Sequence, residues 1–156
     1  MEPVLLDRAH DGCRSFALVF ASGDDVVAPL TTWLEGAGVR AASFTALGAF
    51  ARATVGYFDL EARDYVSIPV DEQVEVLSLV GNVSEGPKNE VRIHAHVVLG
   101  CRDGSTRGGH LLDAEVRPTL EVMLTEHPWR LRRRIDPATG LPLLVPPPRR
   151  PVTRHA

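Results

Sequence analysis

Apolar positions along the chain come in short runs separated by polar or glycine-containing breaks. Ser15 to Ala21 (SFALVFA) reads as a buried strand that ends at Ser22-Gly23. After Asp24 or Asp25, either of which is an N-cap candidate, Val26, Val27, Leu30, Trp33 and Leu34 recur at helical spacing. Pro29 suggests that the helix proper starts near Ala28, and Gly36 and Gly38 end it. Residues 42–47 and 53–58 are β-type runs joined by residues 48–52. Asp59 to Asp64 is a polar turn, and extended chain resumes over residues 65–68. Residues 73–80 are β-rich, and Gly81, Gly86 and Pro87 break the run. Residues 91–99 form another strand, Asp103-Gly104 a turn, and residues 106–116 one or two strands more. Residues 117–124 fit strand or helix. Many short strands with one principal helix predict an α+β domain with a mainly antiparallel β-sheet.

The 156 residues suffice for one ordinary domain, expected over residues 14–126. Beyond them, residues 127–156 form an Arg/Pro-rich C-terminal arm; after Asp136 its prolines predict extended or disordered chain. With 44% hydrophobic and 24% charged residues the chain is globular rather than disordered. No uncharged apolar run reaches the ~18 residues that span a bilayer, and the first residues lack a signal-peptide apolar region. Cys13 and Cys101 are too few to staple a secreted scaffold, so the expected location is cytoplasmic.

Charge is divided unevenly. Residues 1–128 hold 10 Lys/Arg and 19 Asp/Glu, a balance of −9. Residues 129–156 hold 7 Arg and one acid, a balance of +6. The acidic body repels nucleic acid, whereas Arg130, Arg132, Arg133, Arg134, Arg149 and Arg150 are candidate phosphate contacts. The alternative is an Arg-rich end that keeps a terminus solvated.

Histidines carry the candidate chemistry. His94 and His96, at i and i+2 of a strand, point to one face with Cα atoms roughly 6.5–7 Å apart, a spacing that suits two ligands on one metal. The place of His110 depends on the hairpin between them. A two-residue Asp103-Gly104 turn sets Val97 opposite His110. A three-residue loop, Arg102-Asp103-Gly104 with Gly104 left-handed, pairs Cys101 with Ser105 and sets His96 opposite His110. Three imidazoles on one face then leave a fourth position open on a metal. Equally, an H-x-H pair arises by chance, and histidines satisfy buried carbonyls or stack at interfaces. Glu75 is a candidate base or orienter of a histidine; Arg92, on the face of His94, is a candidate contact for an anionic ligand. Neither a P-loop nor a G-x-S-x-G elbow is present. The glycines at 108 and 109 suit close backbone approach or a bulge.

The ordered combination Val74-Glu75-Val76-Leu77-Ser78-Leu79-Val80-Gly81-Asn82, Ile93-His94-Ala95-His96-Val97 and Gly108-Gly109-His110-Leu111-Leu112 resembles the PPC (plants and prokaryotes conserved) domain, also called domain of unknown function 296. Thr45-Ala46-Leu47-Gly48-Ala49 and Arg117-Pro118-Thr119-Leu120-Glu121-Val122 fit the same pattern. The resemblance implies an α+β fold and a homotrimer. It also implies a metal, often zinc or another divalent transition metal, held by His94, His96 and His110 near a subunit boundary. Plant members carry AT-hooks before the domain; this chain has no Gly-Arg-Pro, and Glu72-Gln73-Val74 stands where the plant motif has Gly-Arg-Phe. The expected protein is thus a homotrimer with a tri-histidine metal or small-ligand site and no assigned reaction. The rival expectation is a DNA-associated regulator that uses the domain for assembly and its basic arm for nucleic acid.

Overall fold

The computed structural model describes residues 1–146. Its elements are β1 (Glu2–Arg8), β2 (Arg14–Ala21), α1 (Val27–Gly36), β3 (Ala42–Asp59), β4 (Asp64–Val70), β5 (Val74–Glu85), β6 (Val91–Gly100), β7 (Thr106–Glu126), β8 (Arg132–Ile135) and β9 (Pro142–Val145). The nine strands form one sheet, ordered β1-β2-β7-β3-β5-β8-β9, with β4 beside β3. Strand β6 pairs with both β5 and β7, and β3 also pairs with both. The four strands β3, β5, β6 and β7 therefore close a circuit.

Alternation along these strands sends one set of side chains inward. Leu18, Phe20, Phe50, Val55, Leu79, Leu99, Leu120 and Leu124 are almost wholly buried. Burying each such side chain stabilises the fold by about 1.5–3 kcal/mol before entropy is counted. Helix α1 adds Leu30 and Leu34 to this core and rests on β6 and β7.

The helix starts at Val27, so Pro29 lies in the first turn, where a missing N–H breaks no intrahelical bond. Neither Asp24 nor Asp25 caps it, because Val26 occupies the N-cap without a side-chain bond. The Asp24 carboxylate instead accepts from the Ala21 N–H at 2.9 Å and the Met1 amino group at 2.8 Å. At the other end Val39 N–H donates to Leu34 O at 2.9 Å and Gly38 N–H to Glu35 O at 3.2 Å, the paired bonds of a Schellman ending.

Three regions refine the sequence expectations. Residues 42–59 form a single strand, bent by register shifts around Gly48 and Phe50. Residues 117–124 are strand, held between β2 and β3 as part of the 21-residue β7. The segment after residue 127 is not a loose arm over its described length. It forms the β8–β9 hairpin, and β8 lies parallel to β5 at Glu85–Arg132. Pro142 is tolerated because it opens β9, where a strand can lack a donor. The Asp136 carboxylate fixes the turn by accepting from the Thr139 N–H (3.0 Å) and hydroxyl (2.8 Å). Arg149 and Arg150 lie outside the described residues.

The outer face carries exposed apolar side chains. Cross-strand pairing aligns Met123, Thr45 and Val80 with His96, and Val98 lies two residues beyond His96. Met123, Val80, Val98, Leu47 and Leu77 are all more than two-fifths exposed. No helix among the described residues is long and apolar enough to cross a membrane.

A candidate metal centre on the outer face

The β6–β7 hairpin has the three-residue loop. Cys101 N–H donates to Ser105 O at 2.9 Å, and Gly104 adopts φ +83°. Asp103 braces the turn through the Ser105 N–H (2.9 Å) and hydroxyl (2.6 Å). His96 accordingly pairs with His110, with no register shift along this ladder. Glycines at 108 and 109 let the strands approach: a Cβ at 108 would lie 2.6 Å from Val97 O, and one at 109 would lie 2.7 Å from Gly56 O.

The three imidazoles meet. Ring centroids are 5.1 Å apart for His94–His96, 5.2 Å for His94–His110 and 5.6 Å for His96–His110. One ring nitrogen from each lies within 4.8 Å of the others. Nitrogens on one tetrahedral zinc stand roughly 3.3 Å apart, so the widest gap has at most about 1.5 Å to close. His110 Nδ1 is buried without a hydrogen-bond partner. A buried polar atom left unpaired is costly, and a metal lone-pair acceptor is what it lacks. The donor set and this orphaned nitrogen fit a divalent transition metal.

Electrostatics favour the neutral form of His94 and His110, the form that ligates. Burial, reinforced by His94, His96 and Arg133, pushes His110 down to about 4. Burial, with help from Arg133 and His96, also lowers His94. Tyr65 from β4 stacks on His110 at 4.9 Å and holds its plane.

Arg133 of β8, read from sequence as a phosphate contact, is part of this centre. It is 8% exposed. Its Nε donates to Ser84 Oγ (2.8 Å), Nη1 to Pro142 O (2.9 Å), and Nη2 to Asn82 Oδ1 (2.8 Å) and toward His94 Nδ1 (3.3 Å). Arg130 and Arg132 are also committed, at 3.0 and 3.3 Å from the buried Glu85 carboxylate. Arg134 remains exposed. Arg92 lines the same cavity as His94 and Arg133, with its Nε on Glu90 at 2.9 Å. Glu75 is not brought to the triad: it pairs with Gly100, five positions before the residue opposite His96. A β-type run at Leu143-Leu144-Val145 after the Thr139-Gly140 turn is the signal that would have predicted the hairpin, and hence a buried arginine in β8.

The model of the Plants and Prokaryotes Conserved (PCC) domain matches residues 8–128. This chain belongs to the PCC family. Among solved structures, the PCC chain is similar to a metal-containing protein of Archaeoglobus fulgidus, at 38% identity and a TM-score of 0.77, over 85% of this chain and 93% of that one. A plant- and prokaryote-conserved (PPC) protein of Pyrococcus horikoshii is 28% identical, TM-score 0.79, over 93% and 95% of the two chains. A protein of Ralstonia eutropha described as a "putative DNA-binding protein" is 26% identical, TM-score 0.80, over 92% and 96%. A search of curated proteins gives no match. The PCC match ends before β8, so the arginine that reaches His94 comes from beyond the family segment.

Proposed function

We propose that this PCC protein is a homotrimer that binds a divalent transition metal, zinc first among them, through His94, His96 and His110. The observation that carries the reading is the convergence of three ring nitrogens within 4.8 Å, one of them buried and unpartnered. The metal-containing Archaeoglobus relative, at 38% identity, supports it. Such an ion supplies Lewis acidity at an open fourth position. Burial favours neutral His94 and His110, and Tyr65 and Arg133 orient them. The apolar row Met123, Val80 and Val98 supports self-association, because it is exposed in one chain and runs up to His96. On this reading the metal lies near a subunit boundary.

Metal analysis of protein purified without an affinity tag tests the reading. The expected result is close to one metal per chain, lost in His94→Ala and His110→Ala. A metal-free wild type that also refuses zinc on titration sinks it. Light scattering tests the trimer in the same samples.

DNA association is the second reading, favoured by the description of the Ralstonia neighbour. The placement of the basic residues weighs against it. Arg133 is buried and engaged within the chain, and Arg130 and Arg132, though exposed, already face the Glu85 carboxylate, which leaves Arg134 as the exposed member without an ion pair among the described residues.

A further inference from the structure

Arg133 is a buried cation without a counter-ion among the described residues. Its partners Ser84, Asn82, Pro142 O and His94 are all uncharged, and no carboxylate forms an ion pair with it among the described residues. Hydrogen bonds satisfy most of its N–H groups and leave its charge uncompensated in a low-dielectric place. The other arginine lining the cavity, Arg92, is also positive.

The contact with His94 adds a second condition. A guanidinium only donates, so His94 Nδ1 must accept and its proton sits on Nε2. A neutral imidazole has one lone pair. If His94 gives that pair to a metal through Nδ1, Arg133 loses its acceptor. If it gives the pair through Nε2, the proton moves to Nδ1 and faces a donor. Either way Arg133 is released from His94, and an N–H of Nη2 becomes free beside the one left on Nη1. The same event would add two positive charges to a half-buried space already lined by Arg133 and by Arg92, the latter paired with Glu90.

The cavity beside these groups is about 170 Å³ and is lined by Tyr65, Ile93, Leu141, Pro142 and Leu143 along with His94, His110 and the two arginines. It is small against the ~300–1,000 Å³ of ordinary ligand pockets, and one side of it is apolar.

We infer that this cavity binds a small aliphatic monocarboxylate, its charge held by Arg133 and Arg92 and its carbon chain lying against Leu141, Pro142 and Leu143. The inference rests on the metal reading above and names the ligand class of that site. A carboxylate needs two donors in a planar fork, which is what a released Arg133 offers. A phosphate dianion has more acceptor atoms than these few donors can satisfy, and the apolar wall gives it nothing.

Protein loaded with cobalt(II), whose visible absorption reports its ligands, is titrated with butyrate, inorganic phosphate and butyramide, with bound cobalt measured in each sample. The expected result is a saturable spectral change with butyrate, with phosphate and butyramide at least tenfold weaker. Arg133→Lys should retain cobalt and raise the butyrate half-saturation at least tenfold, because it keeps the charge and loses the fork. A thermal melt checks that this variant is folded; should it not be, Arg92→Gln at a half-exposed position carries the test with an expected several-fold weakening. Cobalt uptake with an unmoved spectrum, equal response to butyramide or phosphate, or variants that titrate like wild type would overturn the inference alone. Failure to take up cobalt overturns the metal reading and this inference with it.

Discussion

His96 and His110 stand directly opposite each other across the β6–β7 ladder, with ring centroids 5.6 Å apart and ring planes at 86°. Two residues from adjacent strands are held in this relation by a turn six residues away. The register, not the histidines themselves, makes the site.

Two glycine variants separate turn from ladder. Gly104→Ala meets no neighbour, so its cost is only that of a left-handed backbone, about 1–2 kcal/mol. Gly108→Ala places a methyl 2.6 Å from Val97 O, a main-chain atom of β6 that must move with its strand. Urea unfolding should show a loss of about 1–3 kcal/mol for Gly108→Ala. Zinc affinity should fall far more in Gly108→Ala than in Gly104→Ala, because only the former pushes His110 away from His96.

Acid should weaken the tie between β2 and the end of β7. Glu126 accepts from Arg14 Nε at 2.7 Å, Nη2 at 2.6 Å and backbone N–H at 2.8 Å. Those bonds, outweighing a desolvation penalty, hold its carboxyl below the ordinary carboxylate range. The unfolded chain therefore takes up the proton at higher pH than the folded one. The stabilisation is complete above the ordinary glutamate value and is lost as pH falls through the lowered one. Glu126→Gln should cost about 1.5–3 kcal/mol at pH 7. The gap to wild type should shrink in urea melts at pH 3. A gap that does not change with pH would contradict this assignment.

Glu85 tethers the β8–β9 hairpin. Its carboxylate is 3% exposed and receives Arg130 and Arg132, while its N–H donates to Leu131 O at 2.7 Å. Glu85→Gln keeps the shape and removes the charge. Amide exchange over residues 132–145 should quicken roughly tenfold, the equivalent of about 1.4 kcal/mol, with β3, β5, β6 and β7 unchanged. Unchanged protection of the hairpin would show that the Glu85 charge is not what holds it.

Duplex DNA should bind only as a general polyanion, with Kd no tighter than roughly 10⁻⁴–10⁻⁶ M at physiological salt. Filter binding or fluorescence anisotropy across a salt series measures it. Nanomolar affinity would restore the DNA reading.

What could be read from the residues depended on how local the cause was. The H-x-H spacing follows from strand periodicity, and the pairing of His96 with His110 follows from Gly104 taking the left-handed place in a three-residue loop. Both are fixed within a few residues. Glu75 was out of reach because its position relative to the histidines depends on a register shift between Val76 and Ser78, which no local pattern reveals. Strand β1 was missed because Val4, Leu5 and Leu6 are all about half exposed, so no buried/exposed alternation marks them. Arg133 was read with its neighbours as one basic patch, although pairing sets it on Ser84 and Asn82 while Arg132 turns to Glu85.

The closed circuit of β3, β5, β6 and β7 bears on how an ion would come and go. Neither strand that carries the histidines is a free edge, so neither can peel away without breaking two ladders. The clamp is inherited from the main chain and does not depend on its cargo. Stripping with a chelator should leave the cage standing, and refilling should run at the pace of ligand exchange without any refolding step.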